Sequence, residues 1–172
     1  MEPKIIGISG WAGSGKDTLA DMMVGYKKLS FGQAVKDALY ALNPTIHIYG
    51  VNTTIQKDVA RDGWDVVKKH SEVRGLLQRM GTEVGRNMFG DNVWIDTVFF
   101  KMQDNEKYVI ADVRFKNEAD AIRASGGQIW RIHRDGVKAP NDHVSEHELD
   151  DYKFDRIIYN NGKISDLKKY VI

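Results

Sequence analysis

The chain contains no cysteine. Disulfides, thiolate nucleophiles and Cys-ligated zinc are therefore excluded. No apolar run approaches the roughly 20 residues that a membrane span needs. The opening Met1-Glu2-Pro3-Lys4 reaches Gly10 and Gly13 too soon for a signal peptide. The expectation is a soluble cytoplasmic protein with no membrane partner. An excess of charge of one sign is lacking too. The 25 Lys and Arg against 24 Asp and Glu leave a formal net charge of +1, without the basic surplus of a protein that lives on nucleic acid. There is no internal repeat, low-complexity tract or linker. What remains is 172 residues with 42% hydrophobic content, enough for a single domain with a real core and short for two.

Ile5, Ile6 and Ile8 form an apolar run that a glycine-rich loop follows at once, which predicts a buried strand. From Lys16 to about Val24 the pattern turns helical, with Leu19, Ala20, Met22 and Met23 as the packing side. Leu29 to Phe31 reads as a second short strand. Ala34, Val35, Ala38 and Leu42 suit a helix that stops before Pro44. Residues 43 to 71 give no clear pattern. Val73, Leu76, Leu77, Met80, Val84 and Met88 make a helical stripe, which Gly75, Gly81 and Gly85 would split into two helices. Tyr108 to Ala111 predicts a central strand and residues 116 to 125 a helix capped by Gly126-Gly127. Ile129, Trp130 and Ile132 read as a strand, His133 to Asp151 as a loop or lid, Arg156 to Tyr159 as a last strand and Ile164 to Val171 as a last helix. Strands alternating with helices imply an α/β fold, a central parallel sheet with helices on both faces.

Gly10-Trp11-Ala12-Gly13-Ser14-Gly15-Lys16 fits the Walker A pattern up to its lysine. Glycines let successive backbone N–H groups point inward at phosphates. The helix beginning near Lys16 adds its positive end. The Lys16 ammonium would bridge the β- and γ-phosphates of ATP and neutralise charge as the γ-group leaves. A Ser or Thr whose hydroxyl ligates Mg²⁺ is expected next, but Asp17 stands there and Thr18 follows. Asp17 either approaches the metal, directly or through water, or is a first-turn acid favoured by the helix dipole.

Phosphoryl transfer needs a second anchor for the metal. Asp112 ends the run Tyr108-Val109-Ile110-Ala111, a Walker B arrangement, at the strand end where ligands of open α/β sheets gather. It could equally cap the next helix. Arg114 is a natural bidentate clamp for the phosphate of an acceptor, with a salt bridge to Glu118 as the plainer alternative. The two together resemble the strand-end Asp and nearby Arg of nucleoside monophosphate kinases.

Arg79, Glu83 and Arg86 would share a face of a continuous helix, and by spacing alone they read as a solvated face. Arg131, Arg134 and Lys138 border the lid-like stretch, where basic groups serve either the transferring phosphate or only the solvent. His143-Val144-Ser145-Glu146-His147 matches the H-x-x-E-H zinc pattern, but its surroundings lack the apolar helix that would align both imidazoles. Of the tryptophans that could stack on a base, Trp130 sits in an apolar strand and Trp11 in the phosphate loop.

Several blocks resemble the phage-type deoxynucleoside monophosphate kinases. They are Gly13-Ser14-Gly15-Lys16-Asp17-Thr18, Phe31 through Lys36, Leu76-Leu77-Gln78 with Gly81-Thr82-Glu83 and Arg86, Asp112-Val113-Arg114-Phe115 with Asn117-Glu118-Ala119, His143 with Ser145-Glu146, and Asp155 through Gly162. They run in order over nearly the whole chain, and Asp17 matches the family. The resemblance implies one nucleoside-monophosphate-kinase-like P-loop domain over residues 1–172, with about 33–90 as an acceptor-binding helical part and about 134–150 as a short lid. It implies transfer of the γ-phosphoryl of ATP to a deoxynucleoside 5′-monophosphate with Mg²⁺, by small-molecule substrates alone. A homodimer is compatible with it, and so is the host cytoplasm if the chain is phage-encoded. Lys16 and Asp112 would then serve ATP and metal, with Asp17 beside them. Arg114 would hold the acceptor phosphate and Arg134 would act from the lid. Phe31, Lys36, Gln78, Thr82, Glu83 and Arg86 become candidates for the acceptor pocket. Asp155 to Gly162 also resembles dephospho-coenzyme A kinase, by which Asn160 and Gly162 would flank the ATP base. That enzyme, and a nucleotide-binding switch without an acceptor, are the alternatives.

Overall fold

The computed structural model describes residues 2–139 and 147–171. His143, Ser145 and Glu146 lie outside the described residues. The chain divides into two compact units, one of Met1–Phe31 with Val98–Ile172 and one of Gly32–Thr97.

The first unit is built on five strands: β1 (Ile5–Ser9), β2 (Tyr26–Leu29), β5 (Lys107–Ile110), β6 (Gln128–His133) and β7 (Arg156–Tyr159). Their order is β2-β5-β1-β6-β7 and every pairing is parallel. The central strand β1 is buried along its whole length, as a parallel strand covered on both faces must be. Its alternate residues serve different layers. Ile6 and Ile8 join Val109, Trp130, Ile132 and Ile158 in a core that helix α1 (Lys16–Asp21) closes with Leu19 and Ala20 and the 3₁₀ helix Ile164–Tyr170 with Leu167. Gly7 faces the other way. A Cβ there would lie 2.8 Å from both Ile122 of α8 (Lys116–Ala124) and Ile129, so glycine lets α8 settle onto the sheet. The sheet is thus parallel with helices on both faces.

Some boundaries differ from expectation, each for a local reason. Helix α1 ends at Asp21, because Gly25 takes φ 84° and turns the chain into β2. The second strand is Tyr26–Leu29, earlier than the apolar residues suggested. It is an edge strand whose Lys27 and Lys28 are exposed, the usual protection of an open edge. Helix α8 stops where Gly126 adopts φ 74° and Gly127 N–H returns to the Ile122 carbonyl at 2.9 Å. The last helix is 3₁₀ in form.

Helix α2 (Phe31–Leu42) leads into the second unit. There the unassigned stretch 43–71 proves to be an antiparallel hairpin, β3 (Thr45–Ile48) and β4 (Val51–Thr54), followed by α3 (Ile55–Asp62) and α4 (Trp64–Val67). The turn residues Tyr49 and Gly50 both have positive φ, 51° and 77°, the pattern of a two-residue hairpin loop matched to strand twist. Leu39, Ile46, Ile55, Val67 and Val73 make this unit's core.

The stripe from Val73 onward does not split at its glycines. It runs as α5 (Ser71–Gln78), a π-helical segment Arg79–Arg86 and α6 (Asn87–Phe89). The glycines serve packing instead. Trp94, on α7 (Val93–Phe99), donates its indole N–H to the Gly81 carbonyl at 2.8 Å, and a Cβ on Gly85 would come within 2.5 Å of its ring. Gly85→Ala should therefore destabilise the protein. Alanine gains about 0.8–1.0 kcal/mol of helix propensity, but overpacking against a ring costs about 1–3 kcal/mol. Gly75→Ala, with nothing within 4 Å of its Cβ position, should gain the propensity alone. Urea denaturation of the pair checks this, and a Gly85→Ala protein as stable as Gly75→Ala would refute the packing account.

Candidate active site

The phosphate loop connects β1 to α1, and three of its glycines carry it: Gly10, Gly13 and Gly15 have φ of 148°, 84° and 104°. A side chain is strained at each. At two it would also collide: a Cβ on Gly10 would lie 2.5 Å from the Ile132 carbonyl, and one on Gly15 2.5 Å from Asn160 Nδ2. The loop is therefore shaped by what it rests on. Asn160 is buried at 6% exposure and donates to the Ser14 carbonyl at 2.8 Å. Its amide is directed at the loop, so its influence on a nucleotide runs through loop shape. Gly162 sits beyond it against Asp166. Helix α1 spans under two turns, so the cradle depends on the loop's own amides more than on a helix dipole. Lys16 Nζ donates to the Trp11 carbonyl at 2.9 Å, curled over the loop it would leave for a phosphate. The Ser14 hydroxyl is buried without a hydrogen-bond partner among the described residues, and Ala12 is exposed.

The two carboxylates beside the loop differ. Asp112 accepts from Ser30 Oγ at 2.7 Å and from Phe31 N–H at 3.0 Å, so it caps the start of α2, an adjacent helix rather than the one that follows it. Phe31 is buried at 3% exposure, and its backbone makes that contact. Asp17 is exposed and pairs with Lys28 Nζ at 2.9 Å, which also meets Asp21 at 2.9 Å. Partial burial opposes the Lys28 charge, but its hydrogen bonds to the two carboxylates outweigh this and raise its pKa. Thr18 follows in the first turn.

Arg114 is exposed. Glu118, 3% exposed, accepts the backbone N–H of Arg114 at 2.8 Å and of Phe115 at 3.1 Å. The expected partnership is thus with the Arg114 backbone. Ser9, Gly10, Trp11, Arg114, Arg131 and Leu149 line one recess. Arg131 belongs to β6 and is 5% exposed, so it is no lid charge; Arg134, just past the strand, is exposed. Arg131 reaches Ser9 Oγ and Asp150 Oδ1, each at 3.2 Å, with Trp11 and Phe154 rings at 5.6 and 5.5 Å. Next along β6, His133 stacks on Tyr159 at 5.9 Å and meets Trp11 edge-on at 6.3 Å. Burial, then Arg131, lowers its pKa. His147, of the zinc-like pattern, bonds Asp150 at 2.9 Å.

In the second unit Gln78, Thr82 and Glu83 are exposed and Lys36 and Arg86 half-buried. Because Arg79–Arg86 is π-helical, bonding runs five residues back. The wider turn leaves Arg79 and Glu83, both exposed, nearly in line and carries the half-buried Arg86 off their face. Trp94 and Trp130 are core residues at 9% and 2% exposure, whereas Trp11 is half-buried at the loop.

Among the described residues no group of three or more His, Cys, Asp or Glu is placed to hold a metal. Asp112→Asn should lower kcat and raise the Mg²⁺ concentration needed for half-maximal rate. The amide would keep the shape but lose the charge that, in the Walker B reading, would orient a metal's waters. A Mg²⁺ titration of the rate checks this, and an unchanged curve would leave Asp112 only its capping role.

The deoxynucleotide monophosphate kinase family model matches residues 49–171. A putative deoxynucleotide monophosphate kinase of Acanthamoeba polyphaga mimivirus is 32% identical over 190 residues, covering 98% of this chain and 94% of that protein. The deoxynucleotide monophosphate kinase of Enterobacteria phage T4 is 30% identical over 100 residues, 55% of this chain and 42% of that protein. Among solved structures, dephospho-CoA kinase from Campylobacter jejuni has a TM-score of 0.48 at 11% identity, covering 98% of this chain and 93% of that one. Shikimate kinase from Aquifex aeolicus has a TM-score of 0.43 at 14% identity, covering 96% and 92%. On the family match over most of its length and the near full-length viral relative, the chain belongs to the deoxynucleotide monophosphate kinase family.

Proposed function

We propose that the chain transfers the γ-phosphoryl of ATP to the 5′-phosphate of a deoxynucleoside monophosphate. The observation that carries this reading is the pairing, at one end of a parallel sheet, of a glycine cradle for donor phosphates with an arginine-lined recess beside it. A switch that only senses a γ-phosphate has no use for the second. An acceptor phosphate oxygen attacks the γ-phosphorus in line. The bond to the β–γ bridging oxygen breaks, leaving ADP and a deoxynucleoside diphosphate, with no covalent enzyme intermediate. The chain's work is positioning and charge. The amides of Gly10–Lys16 hold the donor phosphates, and Lys16 exchanges the Trp11 carbonyl for the β- and γ-oxygens. Arg114 grips the acceptor phosphate, and Arg134 meets the transferring group.

Asp112, held in orientation by Ser30 and Phe31, would hold Mg²⁺ through water, with Asp17 at the rim. Bound there, the ion supplies neutralisation of the phosphate oxygens. The acceptor nucleoside falls to Lys36, Gln78, Thr82, Glu83 and Arg86, with Phe31 as support, on family resemblance alone. Asn160 and Gly162 support the ATP side.

A panel of deoxy- and ribonucleoside monophosphates and dephospho-coenzyme A, each with ATP and Mg²⁺, tests the reading. ADP release that requires a deoxynucleotide supports it. Phosphorylation of dephospho-coenzyme A alone, or slow hydrolysis that no acceptor accelerates, would replace it.

A further inference from the structure

We infer that Asn160 is a positioning residue that aims the Gly15 N–H at the donor phosphates, and that it serves the triphosphate rather than the base. The inference rests on the reading of the Gly10–Lys16 loop as the donor-phosphate site. It turns on the orientation of a single peptide. Asn160 Nδ2 donates to the Ser14 carbonyl at 2.8 Å, and both residues are buried, at 6% and 1% exposure. A trans peptide is planar, with its C=O and N–H on opposite sides. Holding the Ser14 carbonyl on Asn160 therefore turns the N–H of the same peptide, that of Gly15, away from Asn160 and out of the interior. The preceding N–H, that of Ser14, is already spent on the Trp11 carbonyl at 3.1 Å.

Such a peptide needs a strut. Gly15 has φ 104°, and glycine populates either sign of φ, so the peptide before it can flip at small cost. A flip would bury the N–H and present the carbonyl to an incoming triphosphate, oxygen against oxygen. Asn160 opposes the flip from a fixed seat. It stands just past β7, where its own N–H donates to the His133 carbonyl at 2.7 Å. Its Nδ2 lies only 2.5 Å from where a Cβ on Gly15 would be, so glycine is what lets the amide approach the loop this closely. Removing the amide would leave a buried carbonyl without its donor and the Gly15 N–H without a fixed direction. Every nucleoside triphosphate would lose the same contact, whatever its base.

The test measures binding of ATP, GTP and inorganic tripolyphosphate, each with Mg²⁺, to wild type, Asn160→Ala and Asn160→Leu by calorimetry. Leucine keeps about the volume of the side chain and loses the donor. In both variants the affinity for tripolyphosphate and for ATP should fall together, by roughly tenfold, with the ratio of ATP to GTP affinity within about twofold of wild type. Unchanged tripolyphosphate affinity in folded variants overturns the inference, even if their melting temperatures fall, because Asn160 would then be a structural bond alone. A loss confined to ATP also overturns it, because Asn160 would then read the base. Should neither variant fold, NMR of the wild-type protein decides. Tripolyphosphate should move the Gly15 amide signal strongly, and ATP should move the Asn160 side-chain signals no further than tripolyphosphate does. A Gly15 signal left in place, or Asn160 signals that ATP alone moves, overturns the inference. The two readings fail separately. Wild-type protein that binds no tripolyphosphate strikes at the donor site itself, whereas variants that bind it as wild type does leave that site standing.

Discussion

Replacing Lys16 with alanine is expected to lower kcat by at least about 10²-fold, the scale for one preorganised donor aimed at developing charge, with little change in melting temperature. The two halves of this expectation come from different physics. In the free protein Lys16 Nζ donates to the Trp11 carbonyl at 2.9 Å in a half-buried position. A hydrogen bond of that kind contributes about 0.5–1.5 kcal/mol net, and water can take its place at an accessible carbonyl. The glycines, Asn160 and the Ile132 carbonyl that shape the loop are untouched by the substitution. During transfer, by contrast, the proposed role sets the ammonium against oxygens whose charge grows as the γ-group leaves, and nothing else on the loop carries a formal positive charge. Single-turnover kinetics together with a thermal melt measure both halves. A folded Lys16→Ala protein within threefold of wild-type activity would remove the loop from the mechanism.

Arg114→Lys is expected to raise KM for the acceptor roughly 10- to 150-fold, the equivalent of about 1.5–3 kcal/mol of charged hydrogen bonding, while KM for ATP moves little. Donor and acceptor phosphates repel as they come into line, so a cation must stand where the acceptor phosphate sits. Lysine keeps the charge but offers a point in place of a fork. The Arg114 backbone is pinned by Glu118 at 2.8 Å and its side chain is exposed, so the substitution leaves the turn after β5 in place. Varying each substrate in turn separates the outcomes. Damage confined to ATP would move Arg114 to the donor side and send the search for the acceptor clamp to Arg79 or Arg86.

The parts of this architecture readable from sequence were those that local pattern determines. Buried parallel strands such as Ile5–Ser9 and Gln128–His133 are apolar through and through, and the loop between β1 and α1 declares itself by its glycines and lysine. Strand β2 was placed too late, at Leu29 to Phe31, because an edge strand needs no apolar residues: Lys27 and Lys28 look outward. The hairpin at 45–54 escaped because its turn is Tyr49-Gly50, and a tyrosine at φ 51° gives no warning. Gly81 and Gly85 looked like breaks because their partner, Trp94, lies on α7, a helix that the sequence reading did not assign. At the site, Arg131 and Arg134 looked equivalent in sequence. The strand end separates them: Arg131 lies inside β6, between core Trp130 and Ile132, and Arg134 beyond its end. No local pattern could link Asp112 to Ser30, or Asn160 to Ser14 across 146 positions.

That last bond joins two parts of the chain that are 146 positions apart. The loop is made well before the amide that steadies its Ser14 carbonyl, which arrives with residue 160, just after β7. Until then a growing chain carries the signature of a nucleotide site without one of the struts that fixes its shape. The phosphate loop is therefore written long before it is finished.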